Sequence, residues 1–185
     1  MLDSGLRKIK TVLGYLKGIN GEPKNDAEKY LLMSMWVMLM SEFESCIKDQ
    51  VELHIDKVKK NKKVRDMHIC FLLNNKFGNK PDEILSINKI LQLFKTKKKE
   101  ITYKNFTQNK VPKYKFDALS KLFNSLGIFF NENQDLIIKQ IDGIASTRDS
   151  IAHGDRGIAI TRKQLEADML TIKRIYNCLK SSLKI

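Results

Sequence analysis

From Asn25 to about Lys60 the chain carries the pattern of one long helix, and no other stretch constrains the fold as much. Asn25-Asp26-Ala27-Glu28 has capping-box spacing, with Asn25 as N-cap and Glu28 three positions on. Tyr30 to Phe43 is apolar nearly all round, which suits the central helix of a bundle. Trp36, Met40, Phe43, Ile47, Val51 and Val58 mark its inner face. Shorter amphipathic patterns flank it. Residues 6–18 form a helix candidate through Leu6, Ile9, Val12, Leu13 and Leu16, ended by Gly18, Gly21 and Pro23. Further candidates lie at 64–76, after Pro81 to Phe94, at Phe116 to Phe129, and from Gln134 to about Ala152. Thr161-Arg-Lys-Gln164 reads as a second capping box, opening a helix with Leu165, Met169, Ile172, Ile175, Tyr176, Leu179 and Leu183. No segment alternates as a strand does, and Gly (9) and Pro (3) are scarce. The expectation is an all-α, single-domain bundle over 1–185, of about five to seven helices.

Composition narrows the partners. Lys and Arg number 34 against 21 Asp and Glu, a formal charge of +13. Such a balance favours an acidic partner: nucleic acid, an anionic membrane or an acidic protein. The positive charge is concentrated at 57–65 and again at 95–115. The second segment holds eight lysines, among them Lys97, Lys98, Lys99 and Lys104, against the single acid Glu100. Tyr103, Phe106 and Tyr114 are interleaved there and the helical pattern lapses, so it reads as a basic insertion. Lysines on phosphates and aromatic rings under bases would suit single-stranded RNA, with Lys97, Lys98, Lys99, Tyr103 and Lys104 as its contacts.

Several function classes recede. The longest apolar run, Leu31 to Met40, is broken by Ser34 and falls well short of the ~20 residues that span a bilayer. The opening residues have no apolar core of a signal peptide. Three cysteines, Cys46, Cys70 and Cys178, without CxxC spacing read as reduced thiols of a cytoplasmic protein. His54 and His68 stand alone on helices, and no His/Cys/acid group has zinc spacing, so no metal or cofactor is expected.

One stretch breaks its own local pattern. Ile137, Ile141, Ile144 and Ala145 recur at helical spacing, and Ile151 and Ala152 continue the row, yet Arg148 sits on it. A charge there costs several kcal/mol unless something compensates it, whether a functional site or a structural ion pair. His153 follows five residues later, about 140° round an ideal helix. Gly154 suits the C′ position, so the helix ends at His153 and the imidazole can swing toward the arginine. A guanidinium and an imidazole at one mouth suit phosphodiester chemistry without a metal. Asp149 and Ser150 are placed to orient the histidine or touch a substrate.

Arg148-Asp149-x3-His153, with Ile-Ala-His-Gly around the histidine and a closing helix behind it, resembles the R-x4-6-H signature of the HEPN superfamily. The specific match covers about ten residues, the remainder being layout. The resemblance implies an all-α, metal-independent endoribonuclease, with Arg148 and His153 catalytic and Asp149 assisting. It implies a homodimer with two motifs across one cleft, a role as toxin or antiviral effector, and an antitoxin or defence-complex partner. Such proteins often add an acid from an earlier helix. Glu42 lies at four-residue steps from Met38 and Cys46, beside the apolar face, whereas Glu44 would pair with Lys48 on a solvated side; Glu42 is therefore the expected partner of Arg148. The alternatives are a non-catalytic nucleotide- or protein-binding HEPN module, and a basic helical nucleic-acid binder without an active site.

Overall fold

The computed structural model describes residues 2–16, 21–60, 102–106, 114–155, 157–158 and 160–183. The expected helices at 64–76 and 81–94, the lysines Lys97, Lys98 and Lys99, and His68 and Cys70 lie outside the described residues. Among those described there are seven helices and no strand: α1 (Leu2–Leu13), α2 (Asp26–Lys60), α3 (Tyr103–Phe106), α4 (Phe116–Ser125), α5 (Glu132–Ile138), α6 (Ile141–Ala152) and α7 (Arg162–Ser182).

The long helix forms as its pattern predicts. At 35 residues α2 spans about 52 Å. All six residues of its expected inner face are buried, Trp36, Phe43, Ile47 and Val51 completely. The cap differs in one bond. Asn25 Oδ1 accepts from the Glu28 N–H at 2.9 Å, as a capping box requires. Glu28 Oε2, however, accepts from the Lys24 N–H at 2.7 Å, one residue before the N-cap. Helices α1, α3, α6 and α7 all pack against α2, which makes it the axis of the core.

α1 begins four residues earlier than its pattern suggested, because Leu2 joins Leu6, Ile9 and Leu13 in one buried row. Gly14 then closes the helix through bonds to the Lys10 and Thr11 carbonyls. α7 opens at Thr161, whose hydroxyl accepts from the Gln164 N–H at 3.1 Å. His54, a lone polar residue in the core of α2, is explained by the other end of α7: its Nδ1 lies 3.0 Å from the Leu183 carbonyl.

The helix expected from Gln134 to Ala152 is two helices. α5 starts at Asn131 with a complete capping box to Gln134. It stops at Ile138, and after a turn at Lys139–Gln140 the chain resumes as α6. Ile138 and Ile141 on either side of the turn are both fully buried. The reason is tertiary: α5 packs on α7, whereas α6 packs chiefly on α2, and one straight helix could not serve both. No Gly or Pro marks the break, so the apolar row ran on through it.

Candidate functional site at the end of the motif helix

α6 carries its apolar row out of the core. Ile141, Ile144 and Ala145 are buried, Arg148 and Ile151 half-buried, and Ala152 and His153 exposed. Arg148 thus stands where the stripe surfaces. Its guanidinium is divided between two environments. Nε is buried and has no hydrogen-bond partner among the described residues. Nη1 reaches outward to Asp149 Oδ1 at 3.3 Å. The misplaced charge is therefore compensated in part by an ion pair with its own neighbour, and a structural role accounts for only some of its donors.

His153 closes the helix. It is the C-cap residue, and its N–H donates to the Asp149 carbonyl at 3.0 Å. Gly154 follows with φ +77°, the left-handed conformation that ends helices and that glycine adopts without penalty. The imidazole is exposed and makes no side-chain hydrogen bond among the described residues. The Ser150 carbonyl accepts from the Asp155 N–H at 3.1 Å, folding the loop back over the helix end.

Asp149 is the centre of the charge arrangement. One oxygen faces Arg148 and the other lies 3.4 Å from the Lys115 ammonium. Desolvation pulls the carboxyl upward, but the hydrogen bonds and charges of Lys115 and Arg148 outweigh it and hold its pKa below the ordinary aspartate value.

The acid of α2 that senses this group electrostatically is Glu44. Burial raises its pKa; the charge of Arg148 pulls it down and that of Asp149 pushes it up, so the carboxylate lies within electrostatic range of both. The sequence points to Glu42 as the acid that reaches Arg148. Glu42 instead covers Gly5 of α1, where its side-chain atoms would lie within 3 Å of an added Cβ. The expected Glu44–Lys48 pair is absent as well; Lys48 pairs with Glu52 at 4.0 Å. The two acids are two residues apart, some 200° round the helix, and α2 is packed on both sides. A single apolar row could not say which side met α6.

Of the basic segment, residues 102–106 and 114–115 are described. Tyr114 is buried, its ring edge-on to Phe43 at 6.3 Å, so it is no base-stacking platform. Tyr103 is half-buried, and its hydroxyl lies 2.6 Å from that of Tyr114. Burial raises the pKa of both phenols, and Glu44 and Glu52 add to the rise. Lys104 is exposed on α3. The residue that sequence reasoning left out of the site is Lys115, the last lysine of the run, whose proximity to Asp149 depends on how 114–116 lies across α6.

No group of His, Cys, Asp and Glu among the described residues could hold a metal ion. No described helix is long and apolar enough to cross a membrane.

No match was found among curated proteins or among solved structures. A family profile described as RiboL-PSP-HEPN matches residues 4–184, nearly the whole chain and all but the first two residues of the described helices. The all-α fold agrees with it, and the chain belongs to the RiboL-PSP-HEPN family.

Proposed function

We propose that this protein is a metal-independent endoribonuclease whose reacting groups are Arg148 and His153. The observation that carries the reading is the end of α6: an exposed imidazole one turn beyond a guanidinium that is only partly neutralised by Asp149. In this mechanism the neutral imidazole takes the proton of a ribose 2′-hydroxyl. The oxygen attacks the adjacent phosphorus, the bond to the 5′-oxygen breaks, and that oxygen takes up the proton the imidazole removed and leaves as a hydroxyl. The products are a 2′,3′-cyclic phosphate and a 5′-hydroxyl. Arg148 stabilises the charge that builds on the non-bridging oxygens. Asp149 holds the arginine before RNA arrives, and Glu44, rather than Glu42, is the acid that steadies it from α2. Two copies would place their motifs across one cleft, and the cell would restrain such an activity through an antitoxin or defence-complex partner in the cytoplasm.

The test is cleavage of a labelled single-stranded RNA by wild type, Arg148→Ala and His153→Ala, with the termini of the products identified. Each substitution should lower the rate at least 100-fold and leave the thermal transition unchanged. Cleavage that persists in both variants refutes the reading. Saturable RNA or nucleotide binding without any cleavage by wild type would favour the non-catalytic HEPN module.

A further inference from the structure

Lys115 and Arg148 share one carboxylate. Lys115 Nζ lies 3.4 Å from Asp149 Oδ2, and Arg148 Nη1 lies 3.3 Å from Oδ1. None of the three is sequestered: the side chains are 42%, 38% and 36% exposed for Lys115, Arg148 and Asp149. Exposed pairs of this kind hold weakly, because water and salt screen them. A phosphodiester carries the same single charge on two non-bridging oxygens, so it matches the carboxylate that both cations already hold.

The lysine is also held in place. Tyr114, before it, is buried and joined to Tyr103 by their hydroxyls. Phe116, after it, donates its N–H to Asp142 Oδ1 on α6 at 2.8 Å, and Lys139 lies over its ring. Lys115 itself is the N-cap residue of α4 and makes no capping bond with its side chain. The backbone is fixed on both sides while the ammonium reaches outward over the motif helix. Held in this way, the ammonium is already positioned for an anion seated where the Asp149 carboxylate now lies.

We propose that Lys115 is a phosphate-binding residue of the Arg148/His153 site, and that Asp149 occupies its place, and that of Arg148, until a backbone phosphate of single-stranded RNA displaces it. The proposal rests on the ribonuclease reading for the nature of the ligand. Asp149 thereby also acts as a competitor that keeps the two cations from capturing other anions.

The probe is a single-stranded 2′-O-methyl RNA oligonucleotide, which keeps the phosphates and lacks the attacking hydroxyl. Its affinity is measured against salt concentration for wild type, Lys115→Gln, Lys115→Arg and Asp149→Asn. Loss of one phosphate contact should reduce the slope of log K against log salt by about 0.7 in Lys115→Gln. Lys115→Arg should restore the slope, and Asp149→Asn should tighten binding severalfold at low salt. Melting curves check that each variant folds. An unchanged slope in Lys115→Gln, or no saturable binding by wild type, overturns the proposal. The arms separate the two readings. If Arg148→Ala and His153→Ala abolish cleavage but Lys115→Gln leaves the slope intact, only the role of Lys115 fails. If cleavage survives both substitutions while the slope falls, the nuclease reading fails and the phosphate site stands.

Discussion

Glu42 of α2 lies directly over Gly5 of α1. A Cβ built on Gly5 would meet Glu42 Oε2 at 2.5 Å, Cδ at 2.6 Å and Cγ at 2.9 Å. The absent side chain at position 5 thus leaves room for the acid that the helix phase had aimed at Arg148. Gly5→Ala should gain about 1 kcal/mol of helix propensity and lose about 1–3 kcal/mol to overpacking. Its net effect in wild type should be destabilising or near zero. In a Glu42→Ala background the three obstructing atoms are gone, and the same Gly5→Ala change should stabilise by about 0.5–1 kcal/mol. Urea melts of the four proteins measure this coupling, and additive effects would refute it.

Gly154 has φ +77° and nothing within 4 Å of where a Cβ would stand, so only its dihedral resists substitution. Gly154→Ala should cost about 1–2 kcal/mol, whereas Gly154→Asn should cost a few tenths, since asparagine tolerates the left-handed region. Because the turn sets where His153 leaves the helix, RNA cleavage should fall more in the alanine variant. Equal stability of the two variants would contradict the argument.

Glu44 reports on the site electrostatically. Its pKa is raised mainly by burial, Arg148 opposing and Asp149 reinforcing. Carbon-13 titration of its carboxyl should therefore show a further rise in Arg148→Gln and a fall in Asp149→Asn. The raised value also means that ionised Glu44 costs stability, which is greatest below the ordinary glutamate pKa and is lost as pH rises through the folded one. If neither substitution moves the titration, Glu44 does not face the pair.

His54 should make the fold sensitive to mild acid. Burial lowers its pKa below 6.5; the bond to the Leu183 carbonyl works the other way, and nearby Lys57 adds a little lowering. The unfolded chain then takes up the proton first. Stability is full above about pH 6.5 and falls as pH drops from there to the folded value, below which this contribution levels off. His54→Asn keeps an N–H near the carbonyl but cannot titrate. Its melting temperature should be flatter across that window, as scanning calorimetry at several pH values would show; a parallel dependence in both proteins would exclude His54 as the source.

Taken alone, the sequence determined the all-α class, the long central helix with its buried row, the caps at Asn25 and Thr161, and the end of the motif helix at His153 and Gly154. Each of these depends on residues within one or two turns of one another, where 3.6-residue periodicity, a capping side chain and a glycine act locally. Tertiary structure decided what faces the arginine. Glu42 lies against Gly5, Glu44 feels the charge of Arg148, the row from Ile137 breaks after Ile138, Tyr114 turns inward, and Lys115 comes to Asp149 from a distant part of the chain. Those outcomes follow from which helix covers which side of α2. An apolar row shows that a face is buried; the helix that buries it is set by packing between segments far apart in the chain.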